Sequence, residues 1–166
     1  MPDGSVSPDA ATQADAGPCS GPRPASSDWT HWPTIPLSPP LSAYVINDLT
    51  VLDTQTCLMW QRGVTGGTGN WATARAYCDQ LELAGFSDWR LPTETELLTI
   101  LDRSRRSPAI NITAFPDTPA TVDHNWYWSA TPNARDPTGY AWIVGFLNGV
   151  SSPCDVGSAE LVRCVR

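Results

Sequence analysis

The sequence predicts an α+β domain, and three observations predict it. Two stretches, residues 70–84 and 93–101, carry apolar side chains at helical spacing behind good N-caps. Around them lie short runs rich in Val, Ile, Trp and Tyr that alternate with polar residues, as half-buried strands do. Residues 1–40, by contrast, hold more than half of the sixteen prolines and few aliphatic side chains. Such a segment buries too little apolar surface to offset its chain entropy, so it reads as a disordered Pro/Ala/Ser-rich tail. The domain is therefore expected over residues 41–166, with two helices inserted among short antiparallel strands.

Each element has its own justification. Residues 43–63, "AYVINDLTVLDTQTCLMWQRG", read as two strands around a polar turn. Val45, Val51, Leu58 and Trp60 mark their apolar faces, and Asp53 to Thr56 supply the turn. "GVTGGTGN" is a loop by composition. Asn70 then caps a helix over "WATARAYCDQLEL", whose Trp71, Ala74, Tyr77, Cys78 and Leu81 form one stripe, and Gly85 ends it. The second helix starts at Pro92, with Thr93 as N-cap and Glu96 three positions on, a capping box. Its core face is Leu97, Leu98, Ile100 and Leu101. No period is visible from Arg103 to Asn125, so this reads as a long loop. Strands return at "WYWSAT" (126–131), "YAWIVGFLNG" (140–149) and "ELVRCVR" (160–166).

Composition excludes several functions. The net charge is −7, and the ten basic residues are all arginine; only Arg103, Arg105 and Arg106 cluster, at what reads as a solvated helix exit. A nucleic-acid partner is therefore not expected, because phosphate neutralisation needs a basic surface. No window approaches the roughly 20 apolar residues of a transmembrane helix. Five cysteines beside eight tryptophans point to an oxidising compartment. The protein is expected to be exported, whether periplasmic, cell-surface or secreted, although no signal segment follows Met1 in this chain. His31 and His124 sit in unrelated regions, so zinc is not expected.

Six pieces in fixed order carry a family resemblance: "TVLDTQTCLMWQR", "WATARAYCDQLELAGFSDWRLPTETEL", "FPDTPA", "YWSATP", "AWIVGFLNG" and "VRCVR". Together they resemble the C-terminal domain of the Legionella collagen-like adhesin, a bacterial domain of unknown function. The resemblance spans roughly residues 44–166 and implies a C-type-lectin-like fold, with two helices flanking a small twisted antiparallel sheet and the termini in adjacent strands. "RLPTETE" is also similar to a segment of formylglycine-generating enzymes, which share that fold. Cys57 departs from the pattern, since the family usually has glycine there. The resemblance further implies a whole-domain bridge between Cys78 and Cys164. Cys19, Cys57 and Cys154 then compete for one more bridge; Cys57–Cys154 is favoured, leaving Cys19 free or paired to another chain.

Trp89, Arg90, Pro92, Thr93 and Glu96 read as a lock between the helices: Trp89 fills the gap, Arg90 satisfies buried carbonyls or a carboxylate, and Glu96 is a cap rather than a catalytic acid. The loops at 103–125 and 132–139 remain for a ligand. They offer Asp123, Asn125, Asn133, Arg135 and Asp136 as polar groups beside Trp126 as a stacking face. No cofactor is expected, though Asp117, Asp123, Asn125, Asn133 and Asp136 include the oxygen donors that calcium would take. No nucleophile, base and oxyanion donors stand at catalytic spacing. The expected function is thus a non-catalytic, surface-exposed binding or adhesion module for a glycan or protein ligand. The alternatives are an oxidoreductase like the formylglycine-generating enzymes and a purely structural envelope domain.

Overall fold

The computed structural model describes Cys19 and residues 37–64, 67–119, 121 and 126–166. A 3-10 turn, Leu41–Ala43, leads into a three-stranded antiparallel sheet of β1 (Tyr44–Ile46), β2 (Thr50–Asp53) and β3 (Leu58–Gln61). Three strands form where two were expected because the Asn47-Asp48-Leu49 turn, closed by Asn47 N–H on Thr50 O at 2.9 Å, divides the first run. Between β2 and β3, the Asp53 carboxylate accepts from Gln55 N–H (2.9 Å) and Thr56 Oγ1 (2.7 Å). Cys57 follows in the left-handed region, at φ 57°, a conformation that favours glycine.

A short β4 (Thr68–Gly69) precedes α1 (Trp71–Asp79), where Asn70 Oδ1 accepts from Thr73 N–H at 2.9 Å. This helix ends a turn earlier than expected. Ala84 (φ 55°) and Gly85 (φ 82°) instead form a tight reversal, with Leu83 and Phe86 exchanging backbone hydrogen bonds. Helix α2 (Glu94–Thr99) carries the full capping box: Glu96 N–H donates to Thr93 Oγ1 and Thr93 N–H to Glu96 Oε2.

The second sheet has five strands: β4 with β5 (Trp126–Pro132), β6 (Tyr140–Gly145), β7 (Val150–Asp155) and β8 (Glu160–Leu161), in the order β4-β8-β5-β6-β7. The architecture is α+β, but with two sheets rather than one, and β5 pairs with β8 in parallel. Nor are the termini in adjacent strands: the last residues pair with β3, through Met59 and Gln61, and β2 lies between β3 and β1. Strand β7 was not expected because "VSSPCD" is polar and contains a proline, features of an edge strand.

Within the 103–125 stretch, the described residues up to Phe115 pack into the domain. Leu101 bridges Ile110, Ala109 N–H donates to Phe146 O, and Ala109, Ile110, Ala114 and Phe115 are fully buried. They join Trp60, Leu97, Ile100, Tyr127 and Phe146 in one core, while Cys78, Trp89, Leu91, Trp128 and Ile143 belong to the other. Tyr127 and Trp128 fall in different cores because successive strand residues point to opposite faces.

Cys78 is bonded to Cys164, joining α1 to the C-terminal run. Cys57 is bonded to Cys19, not to Cys154, which is a free thiol. The reason is position: Cys57 lies at the β2–β3 turn, whereas Cys154 sits in the edge strand of the other sheet, 3.7 Å from Glu160. The few described residues before Leu41 contact the domain. Beyond the Cys19 tether, Leu37 O accepts from Arg103 N–H at 2.8 Å and Pro39 is buried against the domain. Residues 1–18 and 20–36 lie outside the described residues.

Candidate functional site

The Trp89–Glu96 junction is consumed by the fold. Trp89 is buried and its Nε1 donates to Leu83 O. The Arg90 backbone exchanges two hydrogen bonds with Val165. Its guanidinium forks onto the wholly buried Glu96 carboxylate, Nη1 to Oε2 at 2.7 Å and Nη2 to Oε1 at 2.6 Å. Such bidentate, charge-assisted pairs are the strong ones. Glu96 is therefore both the cap of α2 and the counter-ion of Arg90. Pro92 O accepts from Ala130 N–H, and Glu94 N–H donates to Thr131 Oγ1, fastening α2 to β5.

Of the residues expected to bind ligand, the described ones lie in two separate places. Trp126 pairs with Gly145 at the start of β5, half-buried against the second core. Asn133, Arg135 and Asp136 lie in the hairpin after Pro132, at the other end of the strand, about 20 Å away at ~3.3 Å per residue. There Asn133 Oδ1 accepts from Arg135 N–H, and Asp136 Oδ1 accepts from Gly139 N–H and Thr138 Oγ1. These oxygens build the turn, as Asx side chains do. Asp123 and Asn125 lie outside the described residues. Among the described residues no group of three or more His, Cys, Asp or Glu side chains converges.

A cleft of about 200 Å³ opens elsewhere, assembled from segments distant in sequence. Its floor is Gln61 on β3. Both ends of the Gln61 amide are engaged, Oε1 accepting from Cys164 N–H (3.2 Å) and Nε2 donating to Tyr77 Oη (3.0 Å). Next to it, the Arg62 side chain fastens two turns together. It donates to Asp48 O (3.5 Å) in the β1–β2 turn and to Thr113 O (3.4 Å) and Ala114 O (3.3 Å) in the turn after Ile110. Leu49, Leu83 and Pro116 make apolar walls, with Leu49 53% exposed. Asp48 and Asp117 stand at the mouth as exposed carboxylates.

Two carboxylates, a cation and apolar walls over a rigid floor can orient a polar ligand through hydrogen bonds and shield its non-polar face. Asp117 had been visible in the sequence as one of the calcium-type oxygen donors; Asp48, Gln61 and Arg62 carried no local signal, since only the fold brings them together.

A second recess of about 200 Å³ lies between Arg75, Asp79, Arg90 and Thr93. Its Arg90 is already committed to Glu96, and Arg75 stacks on Trp71 at 5.1 Å.

The profile of the Lcl C-terminal domain family matches residues 49–166. No curated protein matches the chain.

Proposed function

The chain belongs to the Lcl C-terminal domain family, and from that premise we propose that it is a non-catalytic binding module of the adhesin kind. In this reading it has a C-type-lectin-like fold and takes a glycan or protein ligand on a surface. The observation that carries the reading is the cleft between Asp48 and Asp117. It combines uncommitted carboxylates at the mouth with a floor and a clamp that are already satisfied, so a ligand can be held without rearranging the domain. Two disulfides and the family are consistent with an exported or extracellular protein, and among the described residues no helix is long and apolar enough to cross a membrane. Weak binding per site, strengthened by several copies on one surface, is the expected mode.

The competing oxidoreductase reading needs Cys154 and Cys164 as two thiols that hold copper; Cys164 is bonded to Cys78. Probing glycan and protein arrays with the full chain, with and without calcium, tests the proposal. Specific capture of a defined ligand class is expected. Capture of nothing, or oxidation of a thiol substrate by the copper-loaded chain, would replace it.

A further inference from the structure

The two disulfides stand in opposite surroundings. Cys78 and Cys164 are wholly buried in the second core. Cys19 and Cys57 are each half-buried and meet at the β2–β3 turn. Exchange requires a thiolate to reach a sulfur of the bridge, so access decides which bridge exchanges. The turn itself does not depend on its bridge. Asp53 accepts from Gln55 N–H and Thr56 Oγ1, Thr56 Oγ1 accepts from Leu58 N–H at 3.4 Å, and Thr54 N–H and Oγ1 both donate to Ala43 O. Nor does the free thiol compete for the bridge. Cys154 lies in the edge strand of the other sheet, and burial pushes its thiol up, which keeps it protonated at neutral pH.

What the Cys19–Cys57 bridge fixes is reach. Closed, it holds the Cα of Cys19 5.3 Å from that of Cys57. The next described anchors begin at Leu37, whose O accepts from Arg103 N–H, followed by Ser38, whose Oγ accepts from Ser104 Oγ at 3.0 Å, and by buried Pro39. The chain from Cys19 to Leu37 can span at most about 60 Å when fully extended.

We propose that Cys19–Cys57 is a releasable tether, opened by a low-molecular-weight thiol while Cys78–Cys164 stays closed. The small thiolate attacks one sulfur, the bond to the partner sulfur breaks, and the partner cysteine leaves as a thiolate that takes up a proton. A second small thiol displaces the first from the mixed disulfide. Two small thiols are thereby oxidised to their disulfide, and Cys19 and Cys57 are reduced. Residue 19 loses its anchor on the β2–β3 turn, and the distance over which it can stand from the domain grows. The proposed binding cleft is untouched, because Asp48 and Leu49 lie at the opposite end of β2 from Cys57.

Incubating the folded full chain with reduced glutathione, then alkylating and mapping its peptides, tests this. Cys19 and Cys57 are expected to be labelled, and Cys78 and Cys164 only after the chain is denatured. Small-angle scattering of the thiol-treated chain should show a larger maximum dimension. Cys57→Gly, which suits the left-handed backbone at that position, should show that larger dimension without thiol and no further change with it. Labelling of all four bridged cysteines together, or of none before denaturation, overturns the proposal, and so does selective opening without extension. Should Cys57→Gly fail to fold, Cys19→Ser, which leaves every residue of the turn in place, gives the same readout.

Discussion

The Trp89–Glu96 junction and the Asp48–Asp117 cleft each centre on an arginine, and the two arginines are used differently. Arg90 places two short, charge-assisted hydrogen bonds on a carboxylate that is itself buried and caps a helix. Arg62 makes three longer bonds, 3.3–3.5 Å, to neutral carbonyls of two surface turns. Removing Arg90 strands Glu96 in a closed interior, whereas removing Arg62 only loosens a surface. The carboxylates divide the same way. Glu96 is spent on closure, whereas Asp48 and Asp117 face solvent at the mouth of a cavity. Satisfied charges mark what holds this domain together, and charges left open beside an apolar recess mark where it meets something else.

That contrast predicts a graded series of effects. The largest follows from Cys78→Ala/Cys164→Ala, because the bridge anchors the C-terminal run on which both regions rest: Arg90 pairs with Val165, and Gln61 with Cys164. Opening a loop of 86 residues costs about 4–5 kcal/mol if chain entropy governs. Denaturant titration reads this directly, and a loss under about 1 kcal/mol would show that the run holds without the bridge.

Glu96→Ala comes next, at about 2–4 kcal/mol, the lower part of the range for breaking a buried pair because water reaches Arg90, 31% exposed. Binding by the fraction that remains folded is unchanged. Wild-type stability in this variant breaks the comparison at its closed end.

Acid exposes a smaller effect near the same helix. Burial raises the Asp102 pKa, but hydrogen bonds from Ser104 and Ser38 and from Arg105 outweigh it and hold it below the ordinary carboxylate value. A depressed folded pKa gives stability that is present above the unfolded value, about 3.9, and is lost as pH falls through the folded one. Asp102→Asn should therefore flatten the acid limb of the stability curve below roughly pH 4. An unaltered limb would assign acid sensitivity to other groups.

Smallest is Arg62→Ala, expected under about 1 kcal/mol because its bonds are long and their acceptors lie near the surface. A cost like that of Glu96→Ala would make the cleft part of the closure.

How much of this the sequence disclosed depends on how local each signal is. Asn70 and the Thr93–Glu96 box sit within four residues of what they cap, so both helix starts were legible. The end of α1 was not, because the Ala84-Gly85 reversal lies beyond a C-terminus set at Asp79. Strand β7 was hidden by its serines and Pro153. Residues 109–115 lacked a period because they enter the core as turns and a single bridge, not as a regular element. Composition offered no way to choose a partner for Cys57, although its left-handed backbone accounts for the glycine usual there. Of the residues expected to bind ligand, the described ones are set apart by strand geometry: Trp126 and the Asn133–Asp136 hairpin occupy opposite ends of one strand. The cleft was illegible because Asp48, Arg62 and Asp117 come from three segments that only the tertiary fold unites.

The most direct measurement is the dissociation constant of the captured ligand for the wild-type chain and for Asp48→Ala/Asp117→Ala, with melting temperatures in parallel. Losing both mouth carboxylates should weaken binding at least tenfold, about 1.4 kcal/mol, and lower the melting temperature only slightly, since both side chains are exposed and Asp117 reaches the buried Arg163 only through space. An unchanged dissociation constant in a folded double variant would contradict the account and move recognition to another face of the domain.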